Sequence, residues 1–147
     1  MNAYWLDDNS PLSTSDLETN DVFYQAVPTN PSDYQPVLDE LSKQHGYHTQ
    51  DIVELSPDME NLDAICAKFD PEHLHTEDEV RFVLEGAGIF DIRSNDDRMF
   101  RVLVEKGDLI VVPKNRHHRF ELTNIRHIRC VRLFQDQSGW VPQYRDA

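Results

Sequence analysis

Residues 70–88 read Asp70-Pro-Glu-His73-Leu-His75-Thr-Glu-Asp-Glu79-Val-Arg-Phe-Val-Leu-Glu-Gly86-Ala-Gly88. In an extended chain alternate side chains share a face, so His73 and His75 point the same way and Glu79 keeps their parity. Two neutral imidazoles and one carboxylate suit a divalent iron, nickel, manganese or zinc ion. The stretch therefore predicts part of a metal site. The spacing alone leaves open a pair of surface histidines on an acidic loop.

Two patterns downstream strengthen the metal interpretation. Gly86-Ala87-Gly88 predicts a turn between two apolar runs, and Gly107 is followed by Pro113, Asn115 and His118. With residues 73–79, this arrangement resembles the two motifs of the cupin superfamily, which supply two His and one Glu from the first motif and one His from the second. The departures from the pattern are Ala67 and Asn115 in place of glycines, and Leu122 in place of a final asparagine. Asparagine tolerates the left-handed backbone that glycine usually serves, so Asn115 is a mild change.

The second motif contains two adjacent histidines, of which one can face the metal. Neighbours on a strand point to opposite faces, so His117 and His118 cannot both aim inward. Phe120 shares the parity of His118, and a phenylalanine packed beside the metal is compatible with such a site. His118 is therefore predicted as the fourth ligand, and His117 is predicted on the outer face with Arg119 and Glu121.

Composition limits the class of protein. A chain of 147 residues predicts a single domain with its own core, and a formal charge of −13 argues against binding to nucleic acid or an anionic membrane. The sequence has no apolar run of membrane-spanning length and no basic-then-apolar leader. Cys66 and Cys130 lie in apolar contexts, which favours free thiols in a reducing compartment. We therefore expect a soluble cytoplasmic protein, and an acidic, self-contained domain favours a monomer.

The periodicity changes from helical to strand-like along the chain. Short apolar pieces at 4–6 and 22–24 could pair as edge strands or pack on the outside of a sheet. Helices are predicted from Ser32 to Gly46, over 49–53, and from Ser56-Pro57. After Cys66 six strands are predicted, at 80–84, 88–93, 100–104, 109–112, 118–122 and 128–134. Repeated short strands after a helical preface indicate a small β-barrel or sandwich. With the cupin resemblance, the expected fold is mainly β: a cupin-type jelly-roll barrel with a few short helices N-terminal to it and packed on it.

Two arginines lie in or beside apolar strand patterns. Arg81 is two residues past Glu79, and Arg132 lies within Val131-Arg132-Leu133-Phe134. A guanidinium in a barrel wall is unfavourable unless it is paired. Either arginine could orient a carboxylate ligand or an anionic, enediolate-like substrate through paired hydrogen bonds. The alternative is a structural salt bridge at the barrel mouth.

Longer motifs sharpen the resemblance to one family, the acireductone dioxygenases. The motifs are Glu-His-Leu-His-Thr-Glu-Asp-Glu-Val-Arg-Phe at 72–82, Glu-Gly-Ala-Gly at 85–88, Glu-Lys-Gly-Asp-Leu-Ile at 105–110, Val-Pro at 112–113, His-Arg-Phe at 118–120, Val-Arg-Leu-Phe at 131–134 and Gly-Trp at 139–140. They are collinear over residues 44–142, while residues 1–43 resemble the family weakly. The expected domain organisation is thus one cupin domain, 1–147, with a family-like core at 44–142.

The resemblance implies an enzyme of methionine salvage that cleaves 1,2-dihydroxy-3-keto-5-methylthiopentene with O₂. With Fe²⁺ such enzymes give formate and a keto acid; with Ni²⁺ they give methylthiopropionate, carbon monoxide and formate, using one ion per chain. It implies His73, His75, Glu79 and His118 as metal ligands, Arg81 and Arg132 as catalytic residues, and Phe69, Phe120 and Trp140 as substrate-binding residues. Two alternatives stay open: another cupin enzyme with the same four ligands, and a metal-binding module without catalysis.

Overall fold

A computed structural model describes residues 2–135 and 143–145 of the chain. Its helices within these residues are α1 (Thr14–Thr19), α2 (Pro31–His45) and α3 (Leu62–Phe69). Its strands there are β1 (Asn2–Trp5), β2 (Phe23–Ala26), β3 (Thr49–Leu55), β4 (His73–Leu74), β5 (Glu79–Arg93), β6 (Met99–Glu105), β7 (Asp108–Val112), β8 (His118–Leu122), β9 (Ile128–Phe134) and β10 (Gln143–Tyr144). The mainly-β prediction is therefore confirmed.

The strands form two antiparallel sheets that share β5. The first half of β5 lies between β7 and β9, whose outer neighbours are β2 and β3, respectively. Its second half lies between β6 and β8, in the order β1-β6-β5-β8-β4-β10. The long strand therefore passes from one sheet into the other and curls the two around a common interior.

The passage occurs at Gly86, where the sequence predicted a turn. That prediction is wrong, because β5 runs unbroken from Glu79 to Arg93. Its pairing with β9 shifts register between Val83 and Glu85, and Gly86 follows with φ +80°. A Cβ atom on Gly86 would lie 2.1 Å from the His127 carbonyl oxygen. Glycine here allows a bulge and a bend within the strand, rather than a hairpin that would end it.

Two apolar clusters fill the molecule. One lies inside the curled sheets and includes Val83, Phe90, Phe100 and Val112. The other joins α2 to the outer face of β5, β7 and β9, where the Tyr34 and Phe82 rings are 5.0 Å apart. Because strand side chains alternate, this division fixes which residues face the interior. On β5, Phe82 packs outward and Val83 inward, so Glu79 and Arg81 share the inward parity.

The N-terminal pieces behave as predicted edge strands. β1 pairs with β6, and β2 pairs with β7. Gly46 ends α2 with φ +73°, as predicted, but the helix starts earlier than expected: Asn30 caps it and accepts a bond from the Ser32 amide. No helix within the described ranges has the length and apolarity to cross a membrane.

Two helix predictions fail in the segment before the metal motif. The helix predicted over 49–53 is instead part of β3, which pairs along its whole length with β9. Pairing with β9, which is distant in the sequence, overrides the local preference for a helix, and a local sequence pattern does not reveal such pairing. The helix predicted from Ser56-Pro57 begins only at Leu62, because Ser56 and Met59 close a turn in which the Met59 amide donates to the Ser56 carbonyl. Leu62 is buried, and Ile65 packs against the interior cluster.

Candidate metal centre and cavity

Four side chains meet between the two sheets. His73 on β4 is the direct cross-strand partner of His118 on β8, so one sheet sets their separation. Glu79 opens β5 in the other sheet, opposite Val112. His75 follows β4 directly, before the chain bends into β5. The sequence motif thus distributes its side chains over both walls of the interior.

The distances are short enough for a single ion. One ligand atom from each of His73, His75 and His118 lies within 4.8 Å of the others. Glu79 adds its carboxylate, with Oε1 3.6 Å from His75 Nε2 and Oε2 3.1 Å from His118 Nε2. All four residues are at most 5% exposed. The structure therefore brings together the complete set of four predicted ligands; that they bind metal stays a prediction.

Backbone carbonyls orient two of the imidazoles. His73 Nδ1 lies 2.8 Å from the Pro71 carbonyl oxygen, and His118 Nδ1 lies 2.9 Å from that of Arg116. A ring that donates from Nδ1 presents its Nε2 lone pair, which is the arrangement that metal-binding histidines usually adopt. His73 Nε2 is buried and makes no hydrogen bond within the described residues. A bound cation would satisfy that buried nitrogen, so the donor set fits a metal ion.

The protonation states favour the same interpretation. Burial lowers the pKa of His73, and it lowers the pKa of His75 to about 4 despite the opposing charge of Glu79. Burial alone would raise the pKa of Glu79, but the charges of Arg81 and His118 outweigh it and keep the carboxyl ionised. Burial alone would lower the pKa of His118, but the nearby negative charge of Glu79 stabilises the protonated imidazole and raises this pKa above its ordinary value. A divalent ion would take the place of that proton.

Arg81 lies beside the predicted ligands. Its Nη2 donates to Glu79 Oε1 at 3.3 Å and its Nη1 donates to the Val80 carbonyl at 3.0 Å. Its side chain is only 13% exposed. The guanidinium thus adds a buried positive charge that faces the interior next to the cluster.

Arg132 is the cross-strand neighbour of Arg81 in the β5–β9 pairing. Two short bonds join it to Asp51 on β3, from Nε at 2.7 Å and from Nη2 at 2.6 Å. The structural salt bridge that the sequence left open as an alternative is therefore present at Arg132. It does not exclude a catalytic role, because the same side chain also lines the cavity described next.

A cavity of about 280 Å³ opens beside the cluster. Its charged lining residues are Glu54, Glu79, Arg81 and Arg132. Two of the predicted substrate-binding residues, Phe69 and Phe120, line its apolar part; the third, Trp140, lies outside the described residues. A larger groove of about 780 Å³ lies between α2 and the strands β2 and β7, and it includes none of the predicted site residues.

Several lining residues were not predicted from the sequence. They are Val53, Glu54, Leu55, Met59, Ile65, Phe90, Ile128 and Cys130. Cys130 could have been found, because it shares strand parity with Arg132. Val53 and Leu55 could not, since their segment was interpreted as helix. Both cysteines are free, as predicted, and burial raises the pKa of the Cys130 thiol.

Comparison with known proteins gives this geometry a context. The model of the ARD/ARD′ family matches residues 7–142. The chain belongs to that family. Acireductone dioxygenases of Heterostelium pallidum and Dictyostelium discoideum are 45% and 39% identical to it, over 97% of this chain in each case and 96% and 97% of their own lengths. The match begins well within the 1–43 segment, for which the motifs gave only a weak resemblance.

A solved structure extends the family comparison to the fold. The acireductone dioxygenase from Bacillus anthracis, with a cadmium ion in its active centre, aligns with a TM-score of 0.92 and 30% identity over 97% of both chains. The cupin-type barrel predicted for this ARD-family chain is thereby confirmed.

Proposed function

We propose that this chain is an acireductone dioxygenase that binds one Fe²⁺ or Ni²⁺ ion through His73, His75, Glu79 and His118. The observation that supports this most is the convergence of three buried imidazoles with the carboxylate of Glu79, which also lines the adjacent cavity. The substrate in this proposal is 1,2-dihydroxy-3-keto-5-methylthiopentene, the reaction belongs to methionine salvage, and the enzyme acts as a cytoplasmic monomer.

The charge of the site suits an enediolate. When bound, a divalent ion supplies Lewis acidity, and with three neutral imidazoles and one carboxylate the centre keeps a net charge of +1. Arg81 adds a second positive charge beside Glu79 in the lining of the cavity. Positive charge in a buried site favours the deprotonated form of an acidic substrate. The chain's own contribution is therefore to attract and hold the substrate as an anion.

The apolar part of the cavity suits the methylthio end of the substrate. Phe69, Phe120 and Ile65 offer hydrocarbon surface on which a thioether chain can pack. Their side chains also keep water away from the reacting carbons. We propose Phe69, Phe120 and Trp140 as substrate-binding residues, with Trp140 assigned by motif alone.

The two arginines have different proposed roles. Arg81 is proposed to orient both the Glu79 carboxylate and the substrate oxygens, because its guanidinium already bonds Glu79 and faces the cavity. Arg132 is held by Asp51 through both carboxylate oxygens. It is proposed to present a positive charge in a fixed position to the substrate, since the anchored guanidinium also lines the cavity.

Metal removal tests the proposed function directly. The chain treated with a chelator should lose oxygen consumption with the acireductone, and equimolar Fe²⁺ or Ni²⁺ should restore it. Product identification should give formate and the keto acid with Fe²⁺, and carbon monoxide, formate and methylthiopropionate with Ni²⁺. Mg²⁺ is the matched control, because it prefers oxygen ligands and should restore nothing. A chain that binds Ni²⁺ but consumes no oxygen with this substrate would contradict the proposal.

Replacing Arg81 with alanine tests its role. We expect turnover to fall by about 100-fold, the usual cost of removing one preorganised donor at a reacting oxygen. Arg81→Lys keeps the charge without the fork and should recover part of the loss. Arg126→Ala, which removes an exposed guanidinium paired with Asp63, is the control and should leave kcat unchanged. Unchanged turnover, metal content and KM in Arg81→Ala would rule out the role.

A further inference from the structure

The segment between two of the proposed ligands lies outside the sheets. β4 ends at Leu74 and β5 begins at Glu79, so His75 and the bend after it lie between two strands. Strand pairing sets His73 against His118. The placement of His75 relative to Glu79 also depends on the contacts that the bend makes with other parts of the chain.

Two consecutive backbone amides hold this bend. The Lys114 N–H donates to Asp78 Oδ1 at 2.9 Å, and the Asn115 N–H donates to the His75 carbonyl at 2.8 Å. Asn115 adopts φ +63°, the left-handed conformation that lets successive amides converge on one acceptor region. The same short turn leads directly to His118. The amides thus join the segment of His118 to the segment of His75 and Glu79.

Asp78 accepts a second hydrogen bond through its other carboxylate oxygen. The Tyr47 hydroxyl donates to Asp78 Oδ2 at 2.7 Å. Tyr47 is 7% exposed, follows the Gly46 cap of α2 and belongs to the outer apolar cluster. One carboxylate therefore connects the bend both to the His118 turn and to a packed helix end.

We propose that Asp78 is a positioning residue for the metal centre, acting through His75, Glu79 and His118 without touching the ion. The inference rests on the proposed function only in taking these three residues as ligands. Removing the carboxylate leaves the bend held by fewer bonds, so more conformational freedom must be lost when the ligands gather around an ion. Residues that orient ligands typically contribute about 10- to 100-fold to metal affinity.

Ni²⁺ titration of the metal-free full chain measures this effect. Asp78→Ala should raise the Kd for Ni²⁺ by about 10- to 100-fold, and it should alter the visible spectrum of the Co²⁺-loaded protein. Asp78→Asn should bind nearly as the unaltered chain does, because its amide oxygen still accepts from Lys114 while its NH₂ donates to the Tyr47 hydroxyl. Tyr47→Phe removes one of the two bonds and should weaken binding by a few-fold.

The chain offers a matched control in Asp108. It accepts from the Tyr24 hydroxyl at 2.5 Å and from the Glu105 amide at 2.8 Å, the same pair of bond types. It lies four residues along β7 from Val112, the partner of Glu79, a distance of about 13 Å along a strand. Asp108→Ala should lower the unfolding midpoint but leave the Kd for Ni²⁺ unchanged.

The outcomes separate this inference from the proposed function. If the unaltered chain does not bind Ni²⁺, the proposed ligand set fails, and this inference fails with it. If the unaltered chain binds and Asp78→Ala binds equally well, only the positioning role of Asp78 is overturned. Equal losses in Asp78→Ala and Asp108→Ala would also overturn it, since the effect would then be general destabilisation. If Asp78→Ala does not fold, Tyr47→Phe decides: an unchanged Kd contradicts the proposal.

Discussion

Replacement of His118 by alanine is expected to abolish both metal binding and oxygen consumption. Loss of residues that merely orient ligands costs about 10- to 100-fold in metal affinity, so loss of a ligand should exceed about 100-fold. The substitution also leaves Glu79 facing an empty, buried space where His118 Nε2 had been 3.1 Å away. Metal content after dialysis against equimolar Ni²⁺, together with oxygen uptake, measures the effect.

The adjacent histidine supplies the control. His117 and His118 are neighbours on the chain, but His118 is 1% exposed within the cluster and His117 is only half-buried. His117→Ala should therefore bind Ni²⁺ and consume oxygen as the unaltered chain does. The opposite pattern, with His117→Ala inactive and His118→Ala active, would show that the wrong histidine has been assigned to the metal.

The proposed metal ligands were the part of the site most accessible to sequence reasoning. His73, His75 and Glu79 lie close together in the chain, so their spacing predicted them as a set. The expectation that they share one strand face is wrong, because the chain bends between β4 and β5 and the two sheets bring the side chains together. His118 required the second motif, because its pairing with His73 joins residues far apart in the sequence. The register that makes His73 and His118 neighbours is set by strand pairing in the folded sheet. In the sequence, only the resemblance to the second motif indicated that they meet.

The strands were predicted better than the helices for a related reason. Four predicted strands match β6, β7, β8 and β9 to within one residue at each end: 100–104, 109–112, 118–122 and 128–134. Most of their apolar residues are buried, so the local pattern suffices. β3 is different: its burial alternates, but Ile52 is exposed and Asp51 is partly buried, so its sequence lacks the apolar–polar alternation of a strand. Its strand conformation depends on pairing with β9. Missing β3 also hid Asp51 and with it the pairing of Arg132.

Gly86 shows how one backbone position controls the whole architecture. The two-glycine pattern around Ala87 indicated a change of direction, but its local form fits either a hairpin or a bend within a strand. What decides is the partner strands: β9 pairs as far as Gly86, and β6 pairs from Ala87 onward. The strand therefore changes sheets between these two residues. Any residue that cannot adopt the conformation of Gly86 should disturb both sheets together.

Gly86→Ala is accordingly expected to destabilise the fold more than any other glycine-to-alanine change at a left-handed position. The left-handed φ of +80° costs about 1–2 kcal/mol for alanine. The new Cβ would also lie 2.1 Å from a backbone carbonyl oxygen, which cannot move without shifting β9. Overpacking adds about 1–3 kcal/mol, so the free energy of unfolding should fall by about 2–5 kcal/mol.

Gly46→Ala separates strain from crowding, because Gly46 has a similar φ of +73° but its nearest neighbour is the Gln135 side-chain amide at 3.4 Å. That flexible group can move aside, so only the conformational cost of about 1–2 kcal/mol should remain. Urea unfolding of the metal-free variants, with equal m-values, compares the two directly. Equal losses of unfolding free energy in the two variants would mean that the backbone at His127, just before β9, shifts at little cost. Glycine at position 86 would then be required only for its left-handed φ.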